Sequence, residues 1–407
     1  MKILLYSMNF SPELAGIGKY SGEMATWFHE QGHEVRVIAA PPSFPHWSVF
    51  SGHSPWAYRK TVTNGITIYR TPTWVPAKPR AIARMVHLAS FMISSLPVLL
   101  AQTRWRPDLI FVVEPPLFCA PGVLAYSKAM NIKSWLHIQD YEVDAAFELG
   151  LLASARAKRV AYSIERWLLN RFSRVSTISA QMVDLALKKG AAAGRLVLCP
   201  NWVDIGSIYP LQGANRYRQE LGIADDAVVV MYSGSMGKKQ GLEILGDMAR
   251  RLGQSPHIHF VFCGNGPTRA ALRQECADLP HVHFLDLQPQ DRLNELLGLA
   301  DIHVLPQRSD AADLVMPSKL TGMFASGRAV VVTAHPGTEL SNVVKGRGVV
   351  VPPGDAEALS TAVFQLANSA DMRRTLGAAG RRYAETELQR DTILSRLEGE
   401  FQRCLAD

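Results

Sequence analysis

The sequence predicts an α/β protein of two doubly wound domains, and three observations carry that prediction. At 407 residues the chain is too long for one ordinary hydrophobic core. Short apolar runs of strand length alternate with amphipathic helical runs, once within residues 1–205 and again beyond Asn215. Between the two series, Gly206–Asn215 breaks the rhythm and reads as a linker.

Bulk composition narrows the class. Hydrophobic residues make up 47% of the chain and charged residues 19%, the profile of a soluble globular enzyme. The five cysteines (Cys119, Cys199, Cys263, Cys276, Cys404) are scattered with no paired spacing. That argues against a disulfide framework or a zinc site and for a reducing compartment. The opening MKILLYSMNF has one lysine and a very short apolar run, so it reads as a first strand rather than a signal peptide. The net charge of +7 is uneven: residues 1–205 hold 22 Lys and Arg against 13 Asp and Glu, and residues 206–407 hold 21 against 23. The basic half suits an anionic membrane surface, a phosphorylated ligand or nucleic acid. The chain has no helix-turn-helix, zinc-finger or RNP pattern, which counts against nucleic acid.

Taken in order, Lys2–Tyr6 is a strand, followed by a loop with Gly16 and Gly18, a helix over Ser21–Gln31 and a strand over Val35–Ala40. Two glycines in such a loop fit a tight turn or a close approach to phosphate. Residues 41–79 are rich in Pro, Trp and Ser and read as a long irregular excursion. The apolar run Met85–Ala101, flanked by Arg80, Arg84, Arg104 and Arg106, has two readings: a buried helix, or a helix lying at a membrane interface with Trp74 and Trp105 at headgroup depth, and both hold if one face packs while the other dips. Strands follow over Asp108–Glu114 and Ser134–Ile138. His137 and Asp140 sit where the second of these meets its loop, a favoured place for active-site residues. Asp140, Glu142, Asp144 and Glu148 form no metal-ligand pattern.

Beyond the linker, strands are predicted at Val228–Tyr232, His259–Cys263, Val282–Leu285 and Ile302–Pro306. The segment Asp310–Val332 organises the rest. It runs from a loop through Pro317, Ser318 and Lys319 into a helical run, Leu320–Ala325, a glycine stop and a strand over Val330–Thr333. Ser318 is placed to cap that helix, and Lys319 to offer a point charge to a phosphate.

The ordered set of motifs resembles the retaining glycosyltransferases of family four. The matching pieces span nearly the whole chain: the Gly16/Gly18 loop, VSTISAQMVDLALKKG, LCPNWVD, YSGSMGKKQGLEIL, FVFCGNGP, VHFLDLQP, LADIHVLP and PSKLTGMFASGRAVV. Within that family the likeness is to the fucosyltransferase branch of colanic acid synthesis. It implies the GT-B fold, two doubly wound Rossmann-like domains facing a central cleft. The expected domains are residues 1–205 for the acceptor, 206–385 for the donor, and a helix over 386–407 returning to the first domain.

The resemblance also implies a nucleotide-sugar donor. The base would rest near Leu285–Gln288. The diphosphate would meet Gly16, Gly18, the loop Ser235–Gln240 with Lys238 and Lys239, and Pro317-Ser318-Lys319, with no metal or other cofactor. This chain departs from the family in two places. The usual Arg and Lys of the Ser235–Gln240 loop are Ser235 and Gln240 here. The two usual glutamates fall on Leu314 and Gly322, with Glu339 as the candidate substitute. His137 and Asp140 would touch the sugar or the acceptor. The expected reaction moves fucose from GDP-fucose to an undecaprenyl-diphosphate-linked acceptor in exopolysaccharide synthesis, in the cytoplasm at the inner face of the membrane. The alternatives are a nucleotide-sugar epimerase of the same fold and a non-catalytic subunit.

Overall fold

Eight segments pair into one sheet: β1 (Lys2–Tyr6), β2 (Glu34–Ala39), β3 (Arg59–Thr63), β4 (Ile66–Arg70), β5 (Leu109–Glu114), β6 (Lys133–Ile138), β7 (Arg174–Thr177) and β8 (Leu196–Leu198). They lie in the order β3-β4-β2-β1-β5-β6-β7-β8, all parallel except β3, which runs antiparallel to β4. Central strands such as β5 are covered on both sides, so β5 is buried at every position and apolar from Leu109 to Val113 rather than at alternate residues. The helices between them are α1 (Gly16–Glu30), α2 (Ala81–Ala101), α3 (Ala120–Met130), α4 (Glu142–Glu148), α5 (Ala155–Leu169) and α6 (Ala180–Lys188).

The structure is a computed structural model. It describes the chain apart from residues 15, 79–80, 149–153, 238–239 and 310–316 and the side chains of residues 81, 145–146, 148 and 155. Arg80, Lys238, Lys239 and Leu314 lie outside the described residues. The chain divides into two units, Met1–Pro200 with Leu394–Asp407, and Asn201–Ile393. The division thus falls at Pro200, ahead of the composition shift at Gly206–Asn215.

In the first unit, α2, α3, α5 and α6 cover one face of the sheet. Phe91, Leu99, Val123, Leu168, Leu169 and Met182 pack there on Tyr6, Ile110, Val112, Leu136 and Val175. The other face takes α1 and the last helix, α15 (Arg390–Ala406). There the Phe401 ring lies 5.2 Å from Phe28, 5.5 Å from Phe111 and 5.0 Å from Trp135.

One expectation for this half needs correction. The excursion over residues 41–79 contains the hairpin β3–β4, closed by Asn64 and Gly65 with φ of +50° and +79°. Both central residues of a type I′ hairpin turn need positive φ, which Asn-Gly supplies cheaply. The run Met85–Ala101 has one buried face and one outward face. Phe91, Ser95 and Leu99 are buried, and His87 Nδ1 donates to the Trp74 carbonyl, 2.6 Å away. Ile82, Met85, Val86, Ile93 and Leu100 face outward. By length and composition α2 is apolar enough to cross a membrane.

The second unit holds β9 (Val228–Ser233), β10 (Ile258–Cys263), β11 (Val282–Leu285), β12 (Ile302–Leu305), β13 (Ala329–Thr333) and β14 (Val349–Val351). All are parallel, in the order β11-β10-β9-β12-β13-β14. Its helices are α7 (Arg216–Leu221), α8 (Glu243–Arg251), α9 (Arg269–Glu275), α10 (Leu293–Leu299), α11 (Lys319–Ala325), α12 (Glu339–Val344), α13 (Ala356–Ala367) and α14 (Ala370–Glu387). Ser233, Cys263 and Leu285 are register partners, so the loops after β9, β10 and β11 emerge side by side. All five cysteines are buried thiols.

Candidate functional site

Ligands of open parallel sheets bind beyond the carboxyl ends of the strands, and in the second unit that edge is assembled by backbone contacts. Gly234 N–H donates to the Cys263 carbonyl at 2.9 Å, Met236 N–H to the Asn265 carbonyl at 2.9 Å, and Gly264 N–H to the Leu285 carbonyl at 3.0 Å. Gly264 has φ +145°, and a Cβ there would fall on the Gly234 carbonyl. Only glycine lets the two loops meet. The Leu285 carbonyl is thus committed to the loop. Gln288 accepts from the Tyr217 hydroxyl at 3.0 Å and donates to the Asp286 carbonyl at 2.9 Å.

Lys319 reaches into this assembly from the start of α11. Its ammonium donates to the Tyr232 hydroxyl at 2.6 Å and to the Ser235 carbonyl at 3.3 Å, and it lies 4.5 Å from the centre of the Tyr232 ring. The Tyr232 hydroxyl in turn donates to the Ser235 carbonyl. Gly234, with φ +128°, leaves the space through which the Lys319 chain passes. Burial pulls the Lys319 amine down to about 8, since a low-dielectric site disfavours the charged form.

The other predicted residues of this unit are distributed as follows. Ser235 is exposed on the same loop. Gln240 has its Oε1 buried without a hydrogen-bond partner. Pro317 accepts the Leu320 N–H at 3.0 Å. Ser318 does not cap α11: its backbone is already helical, its side chain makes no capping bond, and its carbonyl takes the Thr321 hydroxyl. Glu339 opens α12 after β13, behind a Thr338 side chain that caps the Ser341 N–H. Gly322 faces Leu297, whose Cδ1 would stand 3.3 Å from a Cβ.

Sequence reasoning missed Arg308. It follows β12 and lies across Gly241, where a Cβ would be 3.0 Å from Arg308 Cγ. Its side-chain stem therefore lies beside the end of the loop that carries Ser235 and Gln240. No local motif marks it, because the proximity arises only when β9 and β12 pair.

In the first unit Gly16, with φ +58°, starts α1, and Gly18 is pressed against Glu13. Glu13, also missed, accepts from the Ser43 and Phe44 N–H groups at 2.8 and 2.9 Å and from Asn9 at 2.9 Å. It ties the first loop to the one after β2, and burial raises its carboxyl above the usual range.

His137 and Asp140 are not brought together as side chains. His137 is 1% exposed, its Nδ1 is 2.8 Å from Ser176 Oγ and its Nε2 2.9 Å from Gln139, and its ring stacks on Phe111. Burial holds it near 3, hence neutral. The structure thus places His137 inside the core face shared with Phe111. Asp140 remains partly exposed beyond β6. Beside it Glu142 is pushed to about 7 by burial and, against the opposing Leu117 N–H bond, by the Asp140 charge.

Comparison with known proteins follows the same division. Residues 15–202 match the family described as "Glycosyl transferase 4-like domain", and residues 227–369 match "Glycosyl transferases group 1". The chain is 41% identical over 404 residues to WcaI of Escherichia coli K12, a glycosyl transferase assigned provisionally to colanic acid biosynthesis, covering 97% of this chain and 98% of that one. It is 31% identical over 414 residues to a GDP-mannose-dependent phosphatidylinositol monomannoside mannosyltransferase of Mycolicibacterium smegmatis, with 97% of each chain covered. Among solved structures, sucrose-phosphate synthase of Thermosynechococcus elongatus superposes with a TM-score of 0.76 at 19% identity, over 100% of this chain and 99% of that one.

Proposed function

Because this chain belongs to the glycosyltransferase family and has its GT-B fold, we propose that it moves fucose from GDP-fucose to an undecaprenyl-diphosphate-linked oligosaccharide in colanic acid-like exopolysaccharide synthesis. The observation that carries the donor half is Lys319, held by Tyr232 and Ser235 at the carboxyl end of β9. Lys319 and Arg308 would offset the donor diphosphate, and the loops after β10 and β11 would receive the nucleoside. Charge-assisted bonds of this kind are about twice as strong as neutral ones. The guanine assignment is supported by the GDP-mannose-dependent relative, and the pathway by the E. coli relative.

The proposed reaction retains configuration. The acceptor hydroxyl oxygen attacks the anomeric carbon from the face the diphosphate is leaving, the bond from that carbon to the diphosphate oxygen breaks, and the acceptor proton passes to that departing oxygen. The protein positions the two substrates and stabilises the charge that develops on the diphosphate. Asp140 is the candidate contact to the sugar or acceptor. The acceptor is reached at the cytoplasmic face of the inner membrane, where the outward apolar face of α2, beside the exposed Arg84, lies on the lipid.

Thermal stabilisation by GDP-, UDP-, dTDP- and ADP-sugars, each with magnesium or with EDTA, tests the donor. A ligand at about 100 times its Kd adds about 2.7 kcal/mol to the folded state, a rise of several degrees in Tm. A shift with GDP-fucose alone, unchanged by EDTA, supports the assignment; a shift with a UDP-sugar overturns the fucose reading.

A further inference from the structure

Helix α5 carries an outward stripe that the donor site does not use. Val160, Ile164 and Trp167 recur at i, i+4 and i+7, so they fall on one face. They are 59%, 52% and 50% exposed. With Arg159 and Ser163 they line a shallow depression of about 490 Å³. Arginines frame it: Arg156 and Arg159 before it, Arg166 beside it, and Arg171, whose guanidinium lies 5.2 Å from the centre of the Trp167 ring. The single acid of the helix, Glu165, is buried and ion-paired with Lys189. The opposite side of α5 is already spent on the core through Leu168 and Leu169.

A helix of low overall hydrophobicity with a tryptophan-bearing apolar stripe and a basic flank has the composition of an interfacial anchor. Arginines with no ion pair among the described residues call for an anionic partner, and an extended row of them around an apolar centre matches acidic headgroups over acyl chains rather than one phosphate. Position agrees. Helix α5 covers the same face of the first sheet as α2, whose outward residues Ile82, Ile93 and Leu100 are likewise exposed.

We infer that α5 is a second membrane contact, docking Val160, Ile164 and Trp167 into the headgroup region of an anionic phospholipid surface. The inference rests on the membrane reading given above for α2 and extends it to a two-helix footprint. Two contacts fix the rotation of the first unit on the bilayer, where one leaves it free.

Co-sedimentation of the full chain with phosphatidylglycerol-containing vesicles and with phosphatidylcholine vesicles tests it. The comparison uses Val160→Ser/Ile164→Ser/Trp167→Ser on α5 and Ile82→Ser/Ile93→Ser/Leu100→Ser on α2, all at exposed positions. The α5 variant is expected to lose about tenfold in partitioning to anionic vesicles with its melting temperature kept. The tryptophan emission lost in Trp167→Phe is expected to be the part that shifts blue on binding. If the α5 variant sediments as the wild type does while the α2 variant does not, the α5 contact is wrong and the α2 reading stands. If the wild type ignores every vesicle, both fall. If the stripe instead controls a concentration-dependent dimer, it is an interface between copies and the lipid inference is overturned.

Discussion

The Lys319 ammonium and the Tyr232 hydroxyl are 2.6 Å apart, with the nitrogen also poised over the tyrosine ring. The cation is therefore held in place before any ligand arrives. Lys319→Ala is expected to weaken donor binding by tenfold or more, since a hydrogen bond to a charged group is worth about 1.5–3 kcal/mol. Folding should hardly change, because Tyr232 keeps its bond to the Ser235 carbonyl. Isothermal titration with donor, beside a denaturant melt, checks both. An early melt with normal donor affinity would make the residue structural.

The same lysine sets a pH dependence. Burial lowers its amine to about 8 in the free protein, so the charged form that attracts a diphosphate is lost as pH rises through that value. Donor affinity should be level below about pH 8 and fall above it. Stability runs the other way: between about 8 and the ordinary lysine value the unfolded chain binds more protons, so this group's contribution improves with rising pH. Lys319→Arg should remove the inflection in donor affinity.

His137 should matter to the core and little to turnover. His137→Ala removes one of the two partners of the Ser176 hydroxyl, leaving it the bond from Trp135 Nε1, and removes the ring stacked on Phe111. A loss of about 2–3 kcal/mol in the urea melt is expected, with kcat kept below the melting transition. A large fall in kcat without loss of stability would restore a catalytic role.

Gly264→Ala probes the meeting of the loops. The new Cβ would strike the Gly234 carbonyl, and the residue's φ of +145° is strained for any L side chain. The loop must move, so donor affinity should fall sharply. Nuclear magnetic resonance shifts confined to residues near 234 and 264 would show a local change rather than global unfolding.

Central parallel strands such as β1, β5, β9 and β12 were readable because they are largely buried on both faces and so read as nearly continuous apolar runs. The hairpin β3–β4 was readable in principle: TVTNGITIY has period-two alternation around Asn64-Gly65, but the surrounding Pro and Trp residues mask it. At the site, Lys319 was found because it belongs to a local strand–loop–helix pattern. Arg308 and Glu13 were not, since each acts on a loop distant in sequence. His137 is a different case, because it is buried. Its place at a strand end was read correctly, yet one position of alternation decides whether a side chain at that end faces the core or the edge.

The aromatic contacts of Phe401 bear on synthesis. Phe28, Phe111 and Trp135 are made early, and their covering ring arrives with residues 394–407. At about 5–20 residues per second, a ribosome needs roughly 10–40 s to travel from the end of β8 to that ring. During that interval the part of the first sheet's face that α1 leaves uncovered stands open on the nascent chain, a binding opportunity for chaperones that ends only when α15 is delivered.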